Sequence, residues 1–336
     1  NPVQQQAEGG YNSNKIQDTW LSGNVRLTPL KHTSFNLDYS VNKRNEIGLE
    51  YMRNLPFHDR EGNVDGYYYG SVPNSIKKRS YQSADYENTF GELHYVKVMA
   101  GFNQEYAENN WFSAQRRDLI LDGIPYISLA SGQNFTADAA SETALRGAYS
   151  RWNYIFDNRY IFEMNFRYDG SSKFPKKDRF ALFPSVSIGW RVDNEAFFSK
   201  LKPVVNLFKL RASYGSLGNQ AVPGNYPYIS NYSASQVNYT FGGERPMAVY
   251  APGLVSATLT WETVTQMNLG VDFAMFKNKL NGSFDYYTRT TKNMLTLSER
   301  LPSILGVREP NSNAADMKTK GFDLSLGWTE KVGQVS

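Results

Sequence analysis

Regular alternation of apolar and polar residues is the feature of this sequence that most constrains its fold. Between Arg159 and Asp169 every second residue is apolar: Tyr160, Phe162, Met164, Phe166 and Tyr168. A period of two places successive side chains on opposite faces of a β-strand, so the chain is predicted to be all-β. The pattern recurs on faces that carry no charge, formed by Phe35, Leu37, Tyr39 and Val41, by Val186, Ile188, Trp190 and Val192, by Met267, Leu269, Val271 and Phe273, by Leu280, Phe284 and Tyr286, and by Phe322, Leu324, Leu326 and Trp328.

The composition agrees with strands that are apolar on one face only. The 336 residues include 23 Tyr, 20 Phe and 6 Trp, yet the mean hydropathy is −0.54. A net charge of +4 is small for this length and gives no electrostatic reason to expect nucleic acid as a partner. Since the chain contains no cysteine, disulfides, thiolate metal sites and cysteine nucleophiles are excluded.

The connections between the predicted strands alternate in length, with one exception, a connection of intermediate length on the short side at 193–206. With weaker segments included, we predict about eleven strands, several near the 9–11 residues that a tilted transmembrane strand needs. Long connections are predicted at 44–77, 105–144, 170–180, 216–259 and 292–319, and short ones at 28–32, 89–93, 157–158 and 275–279. Outer-membrane barrels have short periplasmic turns and long extracellular loops. The layout therefore favours an antiparallel transmembrane β-barrel, with a soluble sandwich or a propeller as the alternatives.

Aromatic residues near the strand ends suit the two interfacial girdles of a barrel, where an amphipathic ring meets the lipid headgroups. The residues assigned to these girdles are Trp20, Tyr39, Trp152, Tyr154, Tyr160, Tyr168, Trp190, Trp261, Tyr286 and Trp328. The opposite faces would line the lumen, and their polar side chains are expected to hydrogen-bond with each other and with a plug: Asp38, Glu163, Asn165, Arg167, Asp169, Arg191, Asp272, Asp285, Arg289 and Asp323.

Four stretches have a distinctive sequence: Asp157–Trp190, Leu207–Gln220, Leu259–Leu295 and Lys318–Trp328. The first contains the elements RYDGSSKF, DRF and FPSVS, and the last reads KTKGFDLSLGW. In these stretches the chain resembles the SusC/RagA-like TonB-linked outer-membrane transporters. The first stretch is highly specific to that family, and the resemblance extends less strongly over nearly the whole chain.

The resemblance implies a large plugged barrel of about 22 strands, of which this chain would form a middle portion. A signal peptide, an N-terminal domain and the plug would lie outside the chain. The implied function is TonB-dependent import of a nutrient across the outer membrane of a Gram-negative bacterium. The implied partners are a SusD-like surface lipoprotein acting as a lid, the TonB complex, outer-membrane lipid and an oligosaccharide or peptide ligand. No catalysis and no cofactor are implied.

The long loops contain the candidate contacts for a ligand or for the lid. The motif GYYYG places three tyrosines together, Tyr67, Tyr68 and Tyr69. Exposed tyrosine rings stack on sugars or anchor partner proteins, although a girdle or a loop packed on itself would explain them equally well.

Two further loops add candidates of mixed chemistry. The loop predicted at 105–144 contains Trp111, Arg116 and Arg117, and the arginines would pair with the lid or with an acidic group. The loop predicted at 216–259 combines amides with aromatic rings, in Asn219, Gln220, Tyr226 and Tyr228. This mixture leans towards an oligosaccharide over a peptide, and a compact Ω-like loop is the structural alternative.

Signals for enzymatic chemistry or a metal site are weak. The chain lacks the motifs GxSxG, HExxH and GxxxxGK[ST], and its three histidines are far apart in sequence. The segment DREGNVDG spaces four oxygen-bearing side chains like the start of a calcium loop, Asp59, Glu61, Asn63 and Asp65. Its turn glycine and closing glutamate are missing at the required offsets, which favours a polar turn.

Two rival functions remain for a barrel of this kind. A passive porin or a surface-binding barrel used for adhesion would need neither a plug nor TonB. A hydrolase at the barrel rim would need clustered His, Asp or Ser at one strand end, and the sequence shows no such cluster.

Overall fold

The structure is a computed structural model that describes residues 10–52, 67–71, 73–121, 124, 126–256, 258–297, 302–306 and 309–330. Fourteen β-strands and four short 3-10 turns make up its regular structure. Within these residues, no helix is both long and apolar enough to span a membrane.

The strands follow one another along the chain with short or irregular connections. Their bounds are β1 (Gly10–Leu30), β2 (Thr33–Met52), β3 (Tyr67–Ser71), β4 (Asn74–Phe90), β5 (His94–Arg117), β6 (Asn134–Phe156), β7 (Tyr160–Ser171), β8 (Phe180–Arg191), β9 (Val205–Asn219), β10 (Ser233–Gln236), β11 (Met247–Tyr250), β12 (Glu262–Met275), β13 (Leu280–Leu297) and β14 (Asn311–Trp328). The 3-10 turns are Ile127–Leu129, Val192–Asn194, Ala196–Lys200 and Ser303–Leu305.

Twelve of the strands form one sheet, in the order β1-β2-β3-β5-β6-β7-β8-β9-β12-β13-β14, with β4 paired to β2 and β5. β3 and β4 share these two neighbours and flank Pro73, so they occupy one strand position. Proline has no N–H to donate, which explains the interruption.

β10 and β11 form a separate two-stranded sheet. Neighbouring strands run antiparallel, which confirms the predicted all-β antiparallel class. Among the strands described, β1 and β14 each have one neighbour only.

The strands are longer, and the long connections shorter, than the alternation predicts. β2, β5 and β6 extend into the loops predicted at 44–77 and 105–144, while β13 and β14 extend into the one predicted at 292–319. β7 and β8 also extend into the loop predicted at 170–180, and β9 extends into the loop predicted at 216–259. Outside an apolar band both faces of a strand can be polar. Backbone pairing therefore continues where the alternation has already ended.

Tight turns connect the strands at the end opposite the long loops. Asp157 and Asn158 join β6 to β7 with φ values of 49° and 51°. Two consecutive residues with positive φ are the geometry of a type I′ hairpin turn, which Asn and Asp tolerate best. Asp193, which is 1% exposed, fixes the β8–β9 connection by accepting two hydrogen bonds from Arg191, at 2.7 and 2.9 Å, and one from the backbone N–H of Phe208.

The chain divides into two compact units. The first comprises Asn1–Asn24, Asp38–Ser80 and Glu105–Ala144, and the second comprises Val25–Leu37, Tyr81–Gln104 and Leu145–Ser336. In the first unit, polar side chains tie neighbouring strands together: Asn24 donates to Asp38, and Arg79 lies 3.3 Å from Glu105.

The second unit displays the two faces of the sheet most clearly. One register row runs across six strands and is apolar throughout, through Phe162, Ile188, Ala212, Leu269, Tyr286 and Phe322. Most of these rings and aliphatic chains are exposed, with Ile188 at 56% and Phe322 at 71%. The opposite face carries paired charges, namely Arg167 and Asp169 of β7, Arg211 of β9, Asp272 of β12 and Asp285 of β13. A sheet with one exposed apolar face and one polar face is what a barrel wall requires.

A buried hydrophobic cluster lies at the long-loop end of the second unit. Phe174, Phe183, Leu259 and Trp261 are each at most 5% exposed, and Leu145, Ala181, Val222 and Leu295 pack around them. Trp261 also donates its indole N–H to the carbonyl of Arg179 at 2.9 Å. The cluster therefore fastens the β7–β8 loop to the segment that precedes β12.

Candidate functional site: the polar face and the long-loop end

Arg211 is the centre of an ion-pair network on the polar face of the second unit. Its guanidinium donates to both carboxylate oxygens of Asp272 at 2.8 Å, and to Asp285 at 3.0 Å. Arg211 on β9, Gly270 on β12 and Asp285 on β13 share one register row. A Cβ at Gly270 would lie 2.5 Å from Asp285 Oδ1 and 2.8 Å from Arg211 Nη2. Because glycine has no side chain, the guanidinium of Arg211 can extend across β12 to Asp285. Ion pairs thus connect β9, β12 and β13.

Arg167 repeats this arrangement farther along the sheet. It forms two hydrogen bonds with Asp169, at 2.8 and 3.0 Å, and one with Asn103 on β5 at 3.3 Å. Gly147 on β6 lies between them, and a Cβ there would be 2.0 Å from Asp169 Oδ1. The Arg167 guanidinium also lies 5.5 Å from the ring centroid of Tyr149, within cation–π range. Of the polar residues predicted to hydrogen-bond with each other, Arg167 and Asp169 do so, whereas Asp272 and Asp285 are joined through Arg211.

Between these networks the polar face has a shallow cavity of about 430 Å³. Small or amide side chains line much of it, including Ser185, Ser187, Ser213, Gln266 and Asn268. Arg289 borders the cavity and, within the part of the chain that the structure describes, forms no ion pair. The hydroxyls and amides of this surface, together with its two charged residues Glu163 and Arg289, can hydrogen-bond a polar ligand or a polar segment of polypeptide.

Glu195 holds the polar tips of two girdle aromatics at the short-turn end. Its carboxylate accepts the hydroxyl of Tyr160 at 2.7 Å and the indole N–H of Trp190 at 3.0 Å, and it pairs with Arg159 at 3.1 Å. The hydrogen bonds from Tyr160 and Trp190, and the pairing with Arg159, hold the pKa of Glu195 below its usual value although burial opposes them. Both rings lie on the apolar face of the sheet, so Glu195 provides the polar partner for their tips where that face ends at the short turns.

The candidate residues of the first unit lie on two adjacent strands. The register sets positions 67, 68 and 69 of β3 opposite 117, 116 and 115 of β5. Arg116 Nε donates to the Gly132 carbonyl at 3.1 Å, and the Arg117 guanidinium lies 5.4 Å from the centroid of the Phe135 ring. Trp111 is 40% exposed on the same strand. The GYYYG motif and the two arginines, which are far apart in sequence, are therefore neighbours in the sheet.

The candidate residues of the second unit divide into supporting and exposed side chains. Asn219 is committed to the end of β9, where it donates to Glu262 at 3.2 Å and accepts the backbone N–H of Ala221. Tyr228 donates its hydroxyl to the Ser172 carbonyl at 3.3 Å. Gln220 is half-buried beside them, whereas the ring of Tyr226 is 38% exposed.

One girdle assignment is wrong. Trp261 is 4% exposed and packs 5.0 Å from Phe174 and 5.5 Å from Phe183, centroid to centroid. It is buried because the rings of Phe174 and Phe183 pack against it. The ring of Phe183 in turn occupies the space above Gly218, where a Cβ would lie 2.1 Å from that ring. Phe174, the last residue of RYDGSSKF, is the sequence signal that could have revealed this cluster.

Sequence reasoning also missed Arg211. It lies in LFKLRAS, where apolar residues on both faces obscure the alternation. The calcium-type residues Asp59, Glu61, Asn63 and Asp65 lie outside the described residues. Within the described ranges, no group of three or more His, Cys, Asp or Glu is arranged to hold a metal ion.

Comparison with known proteins decides the family. The sequence profile described as "TonB dependent receptor-like, beta-barrel" matches residues 2–335. The chain belongs to the TonB-dependent receptor β-barrel family. Within that family, TonB-dependent receptor P3 of Formosa agariphila is 32% identical over 72% of this chain and 24% of its own length. The TonB-dependent receptor SusC of Bacteroides thetaiotaomicron is 28% identical over 88% of this chain and 28% of its own length.

The fold comparison agrees with this assignment. The RagAB peptide transporter superposes with a TM-score of 0.87 at 25% identity, covering 97% of this chain and 35% of that one. The predicted SusC/RagA-like resemblance is thereby confirmed, and the open sheet is a fragment of the barrel of this family. The chain spans between about a quarter and a third of the length of these relatives.

Proposed function

We propose that this chain forms part of the wall of a TonB-dependent importer in the outer membrane of a Gram-negative bacterium. The observation that carries this proposal is the sheet of the second unit, with its exposed apolar row on one face and its paired charges on the other. The apolar face would contact lipid, and the polar face would line the lumen. The family of receptors to which the chain belongs supports the same assignment.

The wall has a mechanical task in such an importer. Force applied through TonB to a plug would act on the polar face that surrounds it. The Arg211 network links β9, β12 and β13, and the Arg167 network links β7 to β5 across β6. Both use charge-assisted hydrogen bonds, which are about twice as strong as neutral ones. We infer that these networks keep the wall rigid while the plug moves.

For the ligand we favour an oligosaccharide over a peptide. The cavity of the polar face offers hydroxyls and amides, which suit the many hydroxyls of a sugar. At the long-loop end of the first unit, the register brings the GYYYG motif next to Arg116 and Arg117, with Trp111 exposed on the same strand. Aromatic rings stack on sugar faces and anchor partner proteins. We propose that this surface contacts the ligand or a SusD-like lid lipoprotein.

Binding of the ligand can be measured by calorimetric titration of the full-length transporter–lid complex with oligosaccharide and peptide mixtures. We expect saturable binding of oligosaccharides. Replacing Trp111 with alanine is expected to weaken that binding by about tenfold, which corresponds to about 1.4 kcal/mol for the loss of one stacking aromatic ring. Trp152→Ala is the matched control, because its indole is similarly exposed but lies on β6 in the second unit. Saturable binding of peptides alone would overturn the preference for oligosaccharides.

An importer with a plug and a passive porin differ in electrical conductance. We expect the full-length protein in a planar lipid bilayer to show no steady open-channel current, because a plug would fill the lumen. Large, permanently open channels in the purified protein would instead identify a porin and contradict the import mechanism. The control is a variant of the same protein from which the plug region has been deleted. We expect this variant to show an open-channel current in the same measurement.

A further inference from the structure

The apolar face of the second unit ends at a cluster of lysines. Along β14 this face reads Trp328, Leu326, Leu324 and Phe322, and it continues with Lys320 and Lys318. Along β13 it reads Phe284 and Tyr286, and then Thr288, Thr290 and Lys292. The register pairs Thr288 with Lys320 and Thr290 with Lys318. The apolar surface therefore ends at the same level on both strands, with lysines following it on β14 and two threonines and then Lys292 following it on β13.

Within the part of the chain that the structure describes, no carboxylate forms an ion pair with these lysines. Lys292, Lys318 and Lys320 are all exposed. Asp316, the carboxylate closest to them in sequence, accepts the backbone N–H of Asn293 at 3.0 Å. Three ammonium groups and two threonine hydroxyls are thus gathered on one face, where positive charge exceeds the single negative charge of Asp316.

The position of the cluster fits the boundary of a membrane. From Trp328 to Lys320 the strand advances eight residues, about 27 Å along its axis and about 20 Å along the membrane normal at a tilt of about 40°. Lys318 lies about 5 Å higher on the same estimate. The apolar band of an outer-membrane barrel is about 25 Å tall. The lysines would therefore stand where the hydrocarbon ends on the long-loop side, which is the extracellular side.

We propose that Lys292, Lys318 and Lys320, with Thr288 and Thr290, form a binding site for the phosphorylated headgroup of an outer-leaflet lipid. The apolar surface below the lysines would contact the acyl chains of that lipid, while the ammonium and hydroxyl groups donate hydrogen bonds to phosphate oxygens. Charge complementarity and the continuous apolar surface argue for a lipid rather than for free phosphate. The inference rests on the proposed membrane setting of the barrel.

Native mass spectrometry of the full-length transporter–lid complex tests this site with lipid A as the probe, in its phosphorylated form and in a dephosphorylated form. Wild-type protein is expected to retain phosphorylated lipid A at least about tenfold more tightly than the dephosphorylated form, since each basic residue near an anionic surface contributes measurably to binding. The triple variant Lys292→Gln, Lys318→Gln, Lys320→Gln is expected to lose this preference. The control Lys200→Gln, Lys202→Gln, Lys277→Gln removes equal charge at the short-turn end and is expected to keep it.

Two results would overturn the proposal. One is equal binding of the two lipid A forms by wild-type protein, which requires no variant and so does not depend on folding of a mutant. The other is an unchanged preference in the triple variant of the lysine cluster. Flotation of the wild-type complex with liposomes separates this failure from that of the proposed function. A complex that floats with the liposomes but binds both forms of lipid A equally contradicts the lipid site alone. A complex that does not associate with liposomes contradicts the proposed membrane location as well.

Discussion

Replacing Trp261 with alanine is expected to release the β7–β8 loop and the segment that precedes β12. The indole is 4% exposed, contacts Phe174 and Phe183, and donates to the carbonyl of Arg179. Truncation of a buried tryptophan costs about 3–5 kcal/mol, and the cavity would leave Phe174 without its main partner. Because the cluster lies at one end of the sheet, most of this loss should appear as local opening of the loops.

Limited trypsin digestion measures that opening. The loop contains Lys173, Lys176 and Lys177, and its cleavage rate is expected to rise by on the order of 100-fold in the variant, which corresponds to about 3 kcal/mol of local stability. Trp152→Ala, at an indole that is 48% exposed, is expected to leave the rate unchanged. Equal cleavage of Trp261→Ala and wild-type protein would mean that the cluster does not hold the loop.

Replacing Gly270 with valine is expected to break the network around Arg211. The new Cβ would lie within 3 Å of both Asp285 Oδ1 and Arg211 Nη2, so one of the two partners has to move away. Asp285 would then be left on the sheet without its cation. Disrupting a partly buried ion pair of this kind costs less than the 3–5 kcal/mol of a fully buried one, and we expect about 1–3 kcal/mol.

Thermal unfolding of the full-length protein in detergent measures this effect. Samples are heated to increasing temperatures, and the fraction that still migrates as the compact folded barrel is read from gels run without further heating. The midpoint temperature is expected to fall in Gly270→Val and to stay near the wild-type value in Gly327→Val. Gly327 lies on β14, where a Cβ would meet only the Asn281 carbonyl at 3.9 Å. Similar midpoints for Gly270→Val and Gly327→Val would show that the network adds nothing to the stability of the wall.

The alternation predicted the faces of the sheet well for a physical reason. A strand with lipid or apolar contacts on one side and polar groups on the other must repeat its chemistry every second residue, as β7 does from Tyr160 to Tyr168. The turn at Asp157 and Asn158 was also predictable, since the dipeptide itself favours positive φ.

What the sequence did not reveal depends on contacts between distant positions. Trp261 looks like a girdle residue in its local context, and only the folding back of Phe174 shows that it is buried. The Arg211 network needs Gly270, 59 positions away, to leave room above β12. The register that brings Tyr67, Tyr68 and Tyr69 beside Arg116 and Arg117 likewise follows from pairing across a long connection. Such pairings have no local periodic signal.

The proposed function is tested most directly by measuring uptake of a labelled oligosaccharide. The cells would express the full-length protein and its lid, and uptake would be compared with TonB present and with TonB deleted. The oligosaccharide would be one that binds saturably in the calorimetric titration. The account predicts that deletion of TonB reduces uptake to background, while binding of the ligand at the cell surface persists. Uptake that continues at the same rate without TonB would contradict the account.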